Sequence, residues 1–308
     1  MKTEARPLPA NVTVLDTLRL LLTATRPREW IKNAFLFAPL LFSRNMFNSE
    51  LALKSAFAFA LFCLAAAGVY LINDISDREE DRQHPEKRNR PIAAGTLPIR
   101  LAGSAAVFLS AIAVGGAFLA GFTFGLVILA YVILAIAYSK WLKHVVIVDV
   151  FAIAAGFVLR VAAGAVVIDV AMSHWLVICT MLLALFLALS KRRYELVTLS
   201  RDAKLHRRVL AEYNPLFLDM MIGIVTSATL ISYALYTVSQ ETVQRFHSDR
   251  LVLTLPFVLY GIFRSLYLLY HKNHGGDPSR MLLNDAPLLV SILLWFVACG
   301  VIIYSGSL

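Results

Sequence analysis

The chain has 308 residues, of which 59% are hydrophobic and 16% charged, and its mean hydropathy is +0.70. Soluble domains carry nearer a quarter charged residues, so a water-soluble globular enzyme and a disordered chain are both excluded, and a polytopic membrane protein is expected. The net charge of +9 invites a nucleic-acid partner, a reading that fails if the cations gather in the loops on one side of a membrane.

Windows of about 20 apolar residues predict nine spans, over 29–47, 51–73, 100–120, 122–139, 145–168, 174–198, 214–238, 251–271 and 286–305. Arg28, Glu29 and Lys32 crowd the start of the first, where Trp30 suits an interfacial anchor. No short apolar run ending in small residues precedes it, so no cleavable signal is expected. The organisation predicted is a cytosolic N-terminal segment, 1–28, followed by one transmembrane domain, 29–308.

Of the 29 lysines and arginines, 22 fall on the N-terminal tail and the even-numbered loops and 4 on the opposite side. That bias places the N-terminus and the even loops in the cytoplasm and the C-terminus outside. The basic charge is therefore topological, and no nucleic-acid partner is expected. Loops 74–99, 140–144, 199–213 and 272–285 all face the cytosol on this reading. Cys63, Cys179 and Cys299 lie in separate apolar runs, with neither disulfide nor metal spacing. Spans 2 and 6 both end in a charged cytosolic segment, a weak hint of two related halves.

The densest chemistry begins where the second span ends. Asn73, Asp77 and Asp81 fall at i, i+4 and i+8, on one face if the helix continues, with Asp74 one residue around. Successive members are then roughly 6 Å apart along the axis. Carboxylates so placed suit Mg²⁺, which takes one or two of them and completes its shell with water and phosphate oxygens. Lys87, Arg88 and Arg90 follow in a loop stiffened by Pro85 and Pro91, and arginine offers phosphate two parallel hydrogen bonds. The plain alternatives are a solvated helix end paired to Arg78 and Arg82, and loop cations beside anionic lipid.

Three further groups are candidates. Tyr138, Lys140 and Lys143 sit in a short cytosolic link that either aims them at a phosphate or forms an interfacial belt with Trp141. In Lys191-Arg192-Arg193-Tyr194-Glu195 three consecutive cations splay around a helix, so Lys191 with Tyr194 and Glu195 are taken as site residues and the two arginines as topological. Arg160 lies near the middle of its span, where a charge faces a cavity or a partner. Asp149 shares its face but is too far along the axis for an ion pair, so the two would line one cavity.

The N-D-x-x-D-x-x-x-D pattern of Asn73, Asp74, Asp77 and Asp81 at the end of a second span, within a nine-span chain, resembles the UbiA-type intramembrane prenyltransferase superfamily. The resemblance implies an all-α bundle around a central cavity open to the cytosol, with Asp74, Asp77 and Asp81 as catalytic metal ligands for Mg²⁺ and a diphosphate. A second motif, D-x-x-x-D after the sixth span, is replaced here by Lys191 to Leu196, which favours cations receiving a lipid monophosphate. With the HPEKRNRPIAAG loop and the YSKWLKHVVIVDVFAIAAGFVLR segment, the chain is similar to the branch that acts on a polyprenyl phosphate. That branch implies transfer of phosphoribose from phosphoribosyl diphosphate, with release of diphosphate, toward lipid-linked arabinose donors for envelope glycans. Asn73, Lys87, Arg88 and Arg90 would then meet the donor, and Lys140, Lys143 or Lys191 the lipid headgroup. Prenyl transfer to an aromatic acceptor is the nearest rival, a non-enzymatic lipid transporter the next, and self-association into a homo-oligomer is compatible with either.

Overall fold

The structure, a computed structural model, describes residues 13–85, 87–199, 210, 212–271, 281 and 284–305. Much of the predicted loops 199–213 and 272–285, and Glu86, lie outside the described residues. Among those described there are helices and turns and no strand. The order is α1 (Val14–Ala24), a 3₁₀ helix (Pro27–Phe37) running into α2 (Ala38–Phe42), α3 (Ser49–Ser76), α4 (Arg78–Gln83), α5 (Ile99–Ala120) and α6 (Phe122–Lys140). Then come α7 (Val148–Val167), α8 (His174–Leu199), α9 (Pro215–Val238), α10 (Gln240–Phe246), α11 (Leu255–His271) and α12 (Ala286–Ser305). Eight helices among the described residues are long and apolar enough to cross a membrane.

The expected first span over 29–47 is corrected: it is not a continuous α-helix. Pro39 has no N–H to give to the Phe35 carbonyl, which instead accepts from Ala38 in the tighter 3₁₀ pattern. The segment nonetheless runs the length of the bundle. It starts at Arg26, which is ion-paired to Asp74 near the end of α3, and finishes at Asn48, which caps the start of α3. At the far end Met46 N–H donates to the Tyr304 hydroxyl at 2.7 Å, and the Phe42 ring stands 6.3 Å from Trp295. These contacts join the first segment to the last helix and close the ring.

Within the ring, chain neighbours pack in sequence from α3 with α5 through α6, α7, α8 and α9. One core lies among α3, α5 and α6, around Phe62, Ala113 and Ile128; a second lies among α7, α8 and α9, around Ala154, Leu189 and Ile222. Large apolar side chains such as Phe108, Leu119 and Val297 point outward, while polar groups face in. That is the arrangement a hydrocarbon solvent demands, because only internal partners can satisfy polar groups there. Small residues set the closest contacts. A Cβ on Gly68 would lie 2.4 Å from Ser110 Oγ, and one on Gly164 would lie 1.9 Å from the Leu36 carbonyl oxygen.

The ring encloses a cavity of about 1000 Å³ that reaches from Asn73 and Asp77 at one end to Trp295 and Tyr233 toward the other. Gly164→Ala is expected to lower stability by about 1–3 kcal/mol, because α7 must move off the 3₁₀ segment. Gly223→Ala, with nothing within 4 Å of the added carbon, is the control. Thermal unfolding of the detergent-solubilised proteins reads the difference.

Candidate active site

The acidic face forms because the helical register runs on past the bilayer-length part of α3. Asp77 N–H donates to the Asn73 carbonyl and Asp81 N–H to the Asp77 carbonyl, both at 2.8 Å, so α4 keeps the phase of α3 through a slight break at Asp77. Asn73, Asp77 and Asp81 consequently stand in line and all three line the cavity, as their spacing predicts. Asn73 Nδ2 donates to Asp77 at 3.1 Å, and Ser139 Oγ donates to Asn73 Oδ1 at 3.0 Å. Asp74, one residue around, is buried and stands behind this face, ion-paired to Arg26 and Arg90. Arg90 bridges it to Asp81 at 2.6 Å.

The loop after α4 is built to present Arg90. Ile92 and Leu97 are fully buried against Leu71 and Ala102, and Gly95, at φ +79°, turns the chain between them. Arg78 and Arg82 donate to the Ile92 and Ala93 carbonyls, so these cations anchor the loop instead of the aspartates. Lys87 and Arg90 line the cavity; Arg88 is exposed and does not. His84 lines it too.

Lys143 sits in a short 3₁₀ turn, Leu142–His144, that leads into a strained backbone. Between α6 and α7 the chain makes a three-residue turn, with Val148 N–H donating to the Val146 carbonyl at 2.8 Å and Ile147 at φ 68°, a backbone a β-branched residue rarely adopts. Tyr213 secures the turn: its hydroxyl accepts from Ile147 N–H at 2.7 Å and donates to Asp149 at 2.9 Å. Burial, helped by the Asp149 carboxylate, pushes that hydroxyl up to about 12, so it remains a donor. The turn delivers Lys143, buried, to an ion pair with Asp77. Lys140 points elsewhere, exposed, with its ammonium 5.9 Å from the Trp141 ring centroid.

The α8 cluster is assigned differently from the sequence reading. Arg192 is 1% exposed and donates to Asp149 and Glu195 at 2.6 Å each and to the Tyr138 hydroxyl at 3.0 Å. Arg193 donates to Asp219 at 2.6 Å and stacks on Tyr270. Neither arginine is a free topological charge. Lys191 and Glu195 line the cavity as expected, and so does Tyr138, but Tyr194 packs into the core among α7, α8 and α9. Asp149 does not share the cavity with Arg160, because Arg192 and Tyr213 take up its carboxylate.

Arg160 does line the cavity, 6% exposed. Its guanidinium donates to Asn33 Oδ1 and to the Gly156 carbonyl at 2.8 Å, and to the Tyr131 hydroxyl at 3.0 Å. The rings of Tyr131, Phe157 and Phe62 stand 4.7, 5.3 and 5.5 Å from it. Among the described residues no carboxylate lies within ion-pair distance of Arg160. Each aromatic face contributes about 0.5–2 kcal/mol, against several kcal/mol for burying an uncompensated ion.

Arg26, Lys32, Glu80 and Ser139 also line the cavity and were not singled out by sequence. Among the described residues no group of three or more His, Cys, Asp or Glu is gathered for a metal. All three carboxylates hold cations here, Asp74 those of Arg26 and Arg90, Asp77 that of Lys143 and Asp81 that of Arg90, and of the three only Asp77 and Asp81 line the cavity. The oxygen donors of Asp77 and Asp81 still fit a hard divalent ion, since Mg²⁺ needs only one or two carboxylates beside phosphate oxygens.

An all-α membrane bundle whose charged mouth opens over an apolar cavity is the architecture of an intramembrane enzyme that handles amphiphiles. Residues 34–297 match the UbiA prenyltransferase family, and the chain belongs to that family. It is 33% identical over 293 residues to a decaprenyl-phosphate phosphoribosyltransferase from Corynebacterium glutamicum, covering 92% of this chain and 86% of that one. It is 32% identical over 295 residues to the Mycolicibacterium smegmatis protein of the same description, covering 92% of each. Its fold matches a UbiA homolog from Archaeoglobus fulgidus solved with GPP and Mg²⁺, at a TM-score of 0.70 and 18% identity, over 92% of this chain and 99% of that one.

Removing one partner of the buried pair leaves the other as an unpaired charge. Arg192→Met is expected to cost about 3–5 kcal/mol, and the double variant Arg192→Met with Asp149→Leu to recover the part due to the stranded Asp149, Glu195 having lost its cation in both. A double-mutant cycle on thermal unfolding measures it.

Proposed function

We propose that the chain transfers 5-phosphoribose from phosphoribosyl diphosphate to a polyprenyl phosphate and releases diphosphate. The observation that carries this reading is the division of one cavity. Acids and their cations, Asp77, Asp81, Arg90 and Lys143, line the mouth together with Lys191 and Glu195 from α8, and the depth is largely apolar. The Corynebacterium glutamicum and Mycolicibacterium smegmatis relatives are both described as decaprenyl-phosphate phosphoribosyltransferases and are matched over 86% and 92% of their length.

Asp77 and Asp81, with Asn73 beside them, would hold Mg²⁺; Asp74 keeps Arg90 in place behind them. When bound, the ion supplies Lewis acidity to the leaving diphosphate. Arg26, Lys87 and Arg90 neutralise the donor's phosphates as the C1–O bond to diphosphate breaks. A phosphate oxygen of the lipid forms the new bond to C1. That oxygen is already ionised near pH 7, so no general base has to take a proton. Asn73, fixed by Ser139 and Asp77, orients the acidic wall.

The lysine and arginine bias supports a multi-pass orientation in the cell membrane with the mouth and the N-terminus on the cytoplasmic side and the C-terminus outside. A soluble sugar diphosphate and a membrane lipid can meet only at such a boundary. The product would feed lipid-linked arabinose donors for envelope glycans. Prenyl transfer from a prenyl diphosphate is less well supported, because Lys191 and the committed Arg192 stand where a second acidic clamp would be needed.

Purified protein supplied with Mg²⁺, phosphoribosyl diphosphate and polyprenyl phosphate is expected to form a ribosylated lipid detectable by mass spectrometry. Prenylated product from prenyl diphosphate and an aromatic acid, with no ribosylated lipid, would overturn the proposal. Asp77→Asn is expected to lower turnover by about 10²-fold or more, equivalent to roughly 3 kcal/mol of lost transition-state stabilisation, with membrane insertion unchanged. Turnover within a few-fold of wild type would remove Asp77 from the site.

A further inference from the structure

We infer that Arg160 binds a phosphate monoester at the level where the cavity changes from polar to apolar. The inference deepens the proposed function and rests on that reading only for the names of the two phosphates in question.

Three observations carry it. First, Arg160 lacks what the other arginines of the mouth have. Arg26, Arg90 and Arg192 each hold a carboxylate, whereas no carboxylate among the described residues lies within ion-pair distance of Arg160, although its side chain is 6% exposed. Arginine cannot shed its proton to escape the cost of burial. Second, its hydrogen bonds leave capacity of the right shape. Of five N–H donors, one each on Nε, Nη1 and Nη2 is used, by Asn33, Gly156 and Tyr131. One N–H remains on each terminal nitrogen, a capacity for two phosphate oxygens. Asn33 is itself fixed, since its Nδ2 donates to Cys63 Sγ at 3.2 Å and turns Oδ1 to the guanidinium.

Third, Arg160 stands at a boundary. The bond to the Gly156 carbonyl, one turn back along α7, aims its head at the mouth. On the mouth side the lining is Lys32, Asp77, Lys143 and Lys191; on the other it is Leu41, Leu176, Leu183 and Ile262. Lys191 lines the same cavity on the mouth side. An anion carried on an apolar tail matches such a boundary. A phosphate monoester reaches it in two ways, as the headgroup of the lipid acceptor or as the 5-phosphate of the sugar donor.

The test measures binding without turnover, using farnesyl phosphate and ribose 5-phosphate as probes, with farnesol and ribose as controls that lack the phosphate. Wild type and Arg160→Met are compared in detergent by ligand-induced shift of the unfolding midpoint. At least tenfold weaker binding of one probe, with farnesol unaffected, is expected. Loss confined to farnesyl phosphate assigns the lipid headgroup, and loss confined to ribose 5-phosphate assigns the donor. Binding of both probes within twofold of wild type overturns the inference and reduces Arg160 to a strut between α6, α7 and the 3₁₀ segment. If Arg160→Met does not fold, Arg160→Lys replaces it: losing the guanidinium is expected to weaken the same probe at least threefold, and unchanged binding overturns the inference. Because no product is read, failure of ribosyl transfer in wild type leaves this result standing, and the reverse also holds.

Discussion

The buried Arg192 guanidinium determines how the second half of the bundle is assembled. It joins Asp149 at the start of α7, Tyr138 near the end of α6 and Glu195 on its own helix, while Tyr213, just before α9, closes on the Asp149 carboxylate. Helices in a hydrocarbon solvent gain little from burying apolar surface against one another, so packing and polar contacts choose their register. An ion pair of this kind adds little net stability compared with well-packed apolar residues. Its effect is to make every other register costly, because sliding α7 against α8 would strand a charge on each. Glu195, Tyr138 and the Lys143 turn inherit their positions from that requirement.

The acidic wall was legible in the sequence because one helical period governs it. Asn73, Asp77 and Asp81 are four residues apart, and nothing but continued helix is needed to align them. The apolar spans were legible for the same local reason, since their length and composition lie within single stretches of chain. Arg192 was not. Three consecutive cations look alike in sequence, and only the antiparallel packing of α7 on α8 selects the one that meets Asp149. The unpaired aspartate was the available signal: a carboxylate in an apolar run needs a cation, and Arg192 lies about as far from the α7–α8 turn as Asp149 does. Arg26 was missed because it reaches Asp74 across 48 residues, over a break in the helix that hydropathy does not register. Tyr194 was included through proximity to Lys191, although three residues along a helix from one lining position need not line the same wall.

The tighter helix type of the first segment has a consequence for the cavity. With three residues per turn, side chains stack in three straight rows. Asn33 and Leu36 fall in one row and are buried, Asn33 against Arg160 and Leu36 in the core beside Gly164. Ile31, Ala34 and Phe37 fall in the second and Lys32 and Phe35 in the third, and all five line the cavity. An α-helix would advance each residue by 100° instead of 120°, and over eleven residues these rows would wind around the axis. The 3₁₀ pitch therefore lets one short segment keep Asn33 on the guanidinium while offering two rows to the cavity.

That geometry also links the two ends of the site. Lys32 stands at the mouth and Asn33, the next residue, fixes the guanidinium that marks the start of the apolar depth. A displacement of the segment along the bundle would move both together, and Gly164, pressed on the Leu36 carbonyl, leaves α7 no slack to follow separately. The vertical spacing between the charged mouth and Arg160 is thus fixed by backbone contact, not by flexible side chains. On the proposed function, a cavity holding a sugar phosphate and an amphiphile's headgroup in register needs a spacing set by a rigid element. Here the element is the irregular segment, held at one end by Arg26 on Asp74 and at the other by Met46 on Tyr304.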